Sequence, residues 1–128
     1  MRLGSGYNYP VILTNSTRPT LPVRLQECNT FWLKLRGLMG RPSLAADEGI
    51  ALFIQPPGRI NASIHMFFMR FDIAVIWLDT DNRVIHKEIA RRWRPYYAPP
   101  APARLVLELH PSRINDYNLG DQVTLTHA

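Results

Sequence analysis

The chain has 128 residues, enough for one domain with a core of its own. At 46% apolar and 20% charged residues, its composition excludes the low-hydrophobicity, high-charge class of disordered chains. Fifteen cations against ten anions leave a net charge of +5, and every cation except Lys34 and Lys87 is an arginine; this excess suits a polyanionic partner such as nucleic acid, acidic polysaccharide or an anionic membrane, without specifying one.

Residues 1–8 read as a tail. Tyr9 to Thr14 and Val23 to Glu27 read as short strands around a polar, proline-bearing loop, and the alternation of Val23 and Leu25 with Arg24 and Gln26 gives the second strand one wet face. Thr30 can cap a helix that carries Phe31, Trp32, Leu35, Leu38 and Met39 on one side, stops at Gly40 and Pro42, and roofs a sheet. Ala51 to Ile54 is an apolar strand that the cluster Gln55-Pro56-Pro57-Gly58 should end. Ile64 to Met69 and Ile73 to Leu78 are apolar on both parities, which predicts two strands buried on both sides at the centre of the sheet. Asp79-Thr80-Asp81-Asn82 turns the chain, and Arg83 to Ile89 returns as a hairpin partner. Residues 91–103, with four prolines and three aromatics, should be an extended surface loop. Arg104 to Leu109 then forms a strand with Leu105, Leu107 and Leu109 inward. Ser112 to Leu119 makes a short helix after Pro111, and Val123 and Leu125 face the core from the last strand.

These elements predict a mainly β fold, a small antiparallel barrel or jelly-roll-like sandwich of about eight short strands with two short helices, in a single domain over residues 1–128. A doubly wound parallel fold is disfavoured because long crossover helices are missing between most strands. The single cysteine, Cys28, excludes an internal disulfide, and no Cys/His spacing fits a zinc site. No transmembrane segment or signal-peptide run is read, so the expected location is cytoplasmic, and short proline-flanked edges favour a monomer.

A set of short motifs stands in a fixed order along the chain. It comprises Arg36-Gly37-Leu38-Met39-Gly40-Arg41, Glu48-Gly49, Ile64-His65-Met66-Phe67-Phe68-Met69-Arg70-Phe71, Leu78-Asp79, Leu107-Glu108-Leu109 and Gly120-Asp121-Gln122-Val123. Together they resemble the domain-of-unknown-function 192 family over residues 23–125. The resemblance implies a compact β domain of bacteria and archaea with no established activity or cofactor, whose relatives often carry secretion signals. This chain departs from the family pattern in two places. Asp72 and Ala74 stand where relatives have a proline and an acid, and His110-Pro111-Ser112 stands where they often have Pro-Ala-Gly.

Arg36, Arg41, His65 and Arg70 are the polar members of otherwise apolar segments. A buried charge needs a partner, so these residues either pair with Glu48, Asp72 and Glu108 or line a pocket for an anionic or small polar ligand. A copper site at His65, Met66 and Met69 is disfavoured because neighbouring strand residues face opposite ways, and the methionines read as core. No metal or cofactor is expected. Catalytic patterns are absent, apart from a conceivable pairing of His65 with Asp72, so a non-catalytic binding or accessory domain is the leading expectation. The alternative is polyanion or single-stranded nucleic-acid binding through Arg91, Arg92, Trp93, Arg94, Tyr96 and Tyr97, where cations alternate with rings, and the third reading is an unrecognised enzyme.

Overall fold

The computed structural model describes residues 10–28, 38, 40–94 and 96–127. They form β1 (Val11–Asn15), β2 (Val23–Cys28), β3 (Glu48–Gly58), β4 (Ile73–Leu78), β5 (Val84–Ala90), β6 (Ala103–Leu109), a 3-10 helix (Pro111–Asp116) and β7 (Val123–His127). The seven strands make one sheet in the order β5-β4-β6-β3-β2-β1-β7. It is curled into a half-barrel, and its two edges meet at one end. There Arg83 bridges Gln122, Val84 N–H donates to Asp121 O at 2.9 Å, and Val123 N–H donates to Asn82 O at 3.0 Å.

The mainly β reading holds, with corrections. Among the described residues there are seven strands rather than about eight, and the second expected helix is a single 3-10 segment. The helix expected over Phe31 to Met39 lies outside the described residues, apart from Leu38, which is buried. The pair β2–β3 is parallel, with Leu25 opposite Gly49, and the long connection from Cys28 to Glu48 allows such a crossover. β3 does not stop at its prolines. The ladder to β6 skips from Phe53–Leu105 to Gly58–Ala103, so Pro56 and Pro57 lie exposed in an irregular stretch where no inner ladder bond is asked of them.

The larger correction concerns residues 64–69, which are not a strand. Only Ile64 makes an isolated bridge, to Tyr97. β4 is buried throughout, as read, but its neighbours in the sheet are the edge strand β5 and β6, not residues 64–69. Its period-two alternation feeds two separate cores. Ala74, Ile76 and Leu78 join Leu105, Leu107, Leu109, Val11, Leu13, Val23, Leu25 and Tyr117 in a core to which all seven strands contribute. Ile73, Val75 and Trp77 join Ile50, Leu52, Ile54 and Val106 on the opposite face. That second core is covered by Leu38, Leu44, Ala62, Ile64, Met66, Met69 and Tyr97. Trp77 Nε1–H fixes the cover by donating to Ala62 O at 2.8 Å.

The meeting of the sheet edges depends on Asp121, which is 3% exposed. Its carboxylate accepts from Arg18 Nε at 2.7 Å, Asn15 Nδ2 at 2.8 Å and the Asn118 amide at 2.9 Å. The Arg18 guanidinium, then these amides, hold the carboxyl well below its ordinary value of 3.8. A depressed acid contributes stability in full above its unfolded value and loses it as pH falls toward the folded one. Asp121→Asn should therefore cost roughly 2 kcal/mol at neutral pH. In urea titrations the gap between wild type and variant should narrow as pH falls below about 5, where the wild-type carboxylate begins to protonate in the unfolded chain, and should go on narrowing toward the lower folded value. An unchanged gap would remove Asp121 as the latch.

Candidate functional site

The cover segment that replaces the expected strand is tied to the proline-rich loop. Ile64 N–H donates to Tyr97 O at 2.8 Å and Tyr97 N–H returns a bond to Ile64 O at 3.0 Å. Met66 N–H donates to Arg94 O at 2.9 Å, and Met66 O accepts from Trp93 N–H at 2.7 Å. Ile64, Met66 and Met69 point into the core, so His65, Phe67, Phe68 and Arg70 are left outward. The loop is held from below by Asp72. Its Oδ1 accepts the Arg92 amide at 2.9 Å, and its Oδ2 lies 3.4 Å from Arg91 Nη1. The buried Tyr97 hydroxyl accepts the Arg91 amide at 2.9 Å.

The result is a two-segment ribbon, residues 59–70 and 91–97, with one surface character. Arg59, Arg70, Arg91, Arg92 and Arg94 are exposed on it, and neither segment contains an acidic residue. Phe68 and Trp93 are 60% and 55% exposed, and Tyr96 and Phe67 also face solvent. Phe68 and Trp93 take φ of 63° and 69°, a conformation uncommon for bulky side chains. Their rings meet at a centroid distance of 5.3 Å and an angle of 60°.

The expected site residues fall out as follows. Arg36 lies outside the described residues, and Arg41 is buried. His65 and Arg70 are exposed rather than embedded, because the turn at residues 67–68 places them on the outer side of the cover. His65 Nδ1 accepts the Phe67 amide at 3.2 Å, and His65 makes no bond to Asp72, whose carboxylate is taken by the loop arginines. Of the loop candidates, Arg91, Arg92, Trp93, Arg94 and Tyr96 are outward and Tyr97 is inward. Sequence reading missed Arg59, Phe67 and Phe68 as members of this surface. The available signal was the acid-free run from Pro56 to Phe71, which carries two arginines. Among the described residues, no three His, Cys, Asp or Glu side chains come together to hold a metal ion.

Two of the carboxylates expected as partners of Arg36, Arg41, His65 and Arg70, namely Glu48 and Glu108, have the following surroundings. Glu48 accepts the Ala45 amide at 3.0 Å and stands 4.0 Å from Arg24. Glu108 lies on β6 between Ile50 of β3 and Val75 of β4. It is 7% exposed and has no hydrogen-bond or ion-pair partner among the described residues. Burial pushes its carboxyl up to about 7. Burial, followed by the charge of Glu108, pushes the Cys28 thiol up to about 12, so Cys28 is not a nucleophile at neutral pH. A cleft of about 330 Å³ opens between Pro42–Leu44, Phe71–Asp72 and His110–Pro111. Its polar groups are largely spent on the protein itself, since Asp72 holds the loop and His110 Nδ1 accepts the Ser112 amide at 3.1 Å.

The sequence profile of the family of uncharacterised conserved proteins DUF192 (Uncharacterized ACR) matches residues 11–126. The chain belongs to this family. A UPF0127 protein of Thermococcus gammatolerans is 49% identical over 82 residues, covering 62% of this chain and 50% of its own length. A UPF0127 protein of Thermococcus sibiricus is 36% identical over 103 residues, covering 78% of this chain and 64% of its own. The chain thus spans between half and two-thirds of the length of these relatives. A crystal structure of a protein of unknown function from Novosphingobium aromaticivorans superposes with a TM-score of 0.80 at 24% identity, covering 94% of this chain and 88% of the other, which shows the fold.

Several residues of the DUF192 motifs have structural roles in this chain. A Cβ on Gly49 would lie 2.6 Å from Leu109 Cδ2 and 2.7 Å from the Glu108 carbonyl, so only glycine fits between β2 and β6. Gly120 takes a φ of 87° and delivers Asp121 to the edge contact. Asp79 Oδ1 accepts the amides of Asp81 at 2.8 Å and Arg83 at 3.0 Å, which closes the β4–β5 turn.

Glu108 generates a pH prediction. Between its ordinary value of 4.5 and the folded value of about 7, the unfolded chain has released a proton that the folded protein keeps, so stability falls as pH rises through this window and is flat above it. Chemical denaturation should show wild type losing on the order of 3 kcal/mol across the window. Glu108→Gln should lack that loss and be the more stable form above neutrality. A wild-type curve as flat as the variant's would show that the carboxylate is solvated or paired.

Proposed function

We propose that the chain is a non-catalytic binding domain that takes an anionic polymer on the ribbon of residues 59–70 and 91–97. The observation that supports this reading is the pairing of Ile64 and Met66 with Tyr97 and Arg94. It joins two segments that carry the exposed Arg59, Arg70, Arg91, Arg92 and Arg94 and contain no acidic residue, with Asp72 beside Arg91 and Arg92. Guanidinium forks bond planar or tetrahedral oxyanions through two donors at once, and the net charge of +5 adds a long-range attraction for any polyanion. Asp72 tethers Arg91 and Arg92 without sequestering them, because their side chains stay 65% and 59% exposed.

A second reading keeps Arg36, Arg41, His65 and Arg70 together as a pocket for a compact anion such as a phosphate, carboxylate or sugar acid. One contact favours it. Gly40 N–H donates to Phe68 O at 3.0 Å, so the segment that leads to Arg41 lies against the one that leads to Arg70.

One set of titrations separates the two. On the polymer reading, a fluorescent heparin or oligonucleotide binds, and its affinity falls about tenfold or more between about 50 and about 200 mM salt, as expected for three or more displaced phosphate counterions. Arg91→Ala/Arg92→Ala/Arg94→Ala abolishes this binding while the thermal midpoint moves by only a few degrees. On the small-anion reading, phosphate or sugar acids raise the midpoint of wild type but not of Arg70→Ala, and heparin has no effect. Failure of every anion to bind at low salt rejects both.

A further inference from the structure

We propose that the polymer is single-stranded nucleic acid, with unpaired bases stacking on the outward rings of Phe68, Trp93 and Tyr96 while Arg70, Arg91, Arg92 and Arg94 follow the phosphates. The inference rests on the polyanion reading above and adds the chemical class of the ligand. Charge alone would suit any polyanion, so the rings decide. Burial would be the ordinary fate of a phenylalanine and a tryptophan in a chain that already builds two cores, yet Phe68 and Trp93 stay 60% and 55% exposed.

Their exposure is built into the backbone. Each of the two residues adopts a positive φ, which an unconstrained chain would relax. Phe68 O is held by the Gly40 amide at 3.0 Å, Trp93 N–H is held by Met66 O at 2.7 Å, and the neighbouring Arg92 amide is held by Asp72 at 2.9 Å. The 60° angle makes their contact edge-to-face rather than a parallel stack, so it occupies one ring face at most, and the 60% and 55% exposure leaves ring surface for an incoming π system.

A sulfated polysaccharide or polyphosphate has no flat aromatic face to meet these rings, and a duplex hides its base faces inside the stack. An anionic membrane would accept the rings by insertion, but insertion requires an apolar tip with the charges at its rim. Here the charges alternate with the rings along the chain, in Arg92-Trp93-Arg94 and Phe68-Met69-Arg70. That alternation matches a ligand in which phosphate and base also alternate.

The test uses the full chain with a labelled mixed-sequence single strand as DNA and as RNA, the same sequence as a duplex, heparin, and vesicles containing phosphatidylserine. The single strand should bind at least about tenfold tighter than the duplex. Phe68→Ala/Trp93→Ala should weaken single-strand binding by at least about tenfold and leave heparin binding unchanged, which also shows that the variant is folded. As a readout that needs no variant, tryptophan fluorescence of wild type should be quenched by the single strand and not by heparin. If heparin, duplex and single strand bind alike and the ring variant matches wild type, the nucleic-acid assignment is overturned and the polyanion reading stands. If vesicles bind and the oligonucleotides do not, the ligand is a membrane surface and the assignment is again overturned. If no polyanion binds at all, both readings fall together.

Discussion

The structure is organised by a sheet whose strands β4 and β6 are buried on both faces. β4 and β6 send alternate side chains into two cores, and a curled sheet can satisfy only its inner face by closing on itself. The outer face, with Ile73, Val75, Trp77 and Val106, must be covered by something else or remain in water at about 25 cal/mol per Å² of exposed apolar surface. The chain covers it with residues 62–69, which are irregular in backbone but pinned at Ala62 by Trp77. An irregular cover can point any residue inward or outward as the backbone turns. This is how two methionines and an isoleucine reach the core while a histidine and two phenylalanines face solvent.

Much of the sheet was legible in the residues and the cover was not. The alternation of Val23 and Leu25, the apolar run of β4, the Asp79–Asn82 turn and the inward Leu105, Leu107 and Leu109 all follow from period-two patterning and turn chemistry, and each is found in place. Residues 64–69 misled because an apolar run on both parities is what a doubly buried strand looks like, and nothing in a hydrophobic sequence marks the turn that exposes Phe67 and Phe68. The parallel β2–β3 pair is likewise invisible locally, since strand direction is set by a connection and not by the strands. The candidate site was legible in pieces. The 64–70 motif and the 91–97 loop each drew attention for their cations. What sequence could not supply was the pair of backbone bonds at Met66 that makes them neighbours.

The division of labour between motif and loop follows from the same geometry. The DUF192 motif residues Gly49, Asp79, Gly120 and Asp121 sit at a close strand approach, a hairpin and the edge contact, where their roles are to fix the backbone. The arginine and aromatic residues of the 91–97 loop lie outside those motifs, whereas Phe67, Phe68 and Arg70 belong to the motif that runs from Ile64 to Phe71. Glu108 departs from this pattern: a motif residue that is buried, weakens the core whenever it ionises, and contributes its charge to the Cys28 environment.

Backbone amide hydrogen exchange, read residue by residue, tests the central claim most directly. If 62–69 is a cover tied to the proline-rich loop, the amides of Ile64, Met66, Trp93 and Tyr97 exchange slowly, whereas those of His65 and Phe68, which lack carbonyl partners among the described residues, exchange fast. Uniform protection from Ile64 to Met69 would mean that the segment is a sheet strand after all. Uniformly fast exchange there would mean that the outer core has no such cover and the ribbon does not exist.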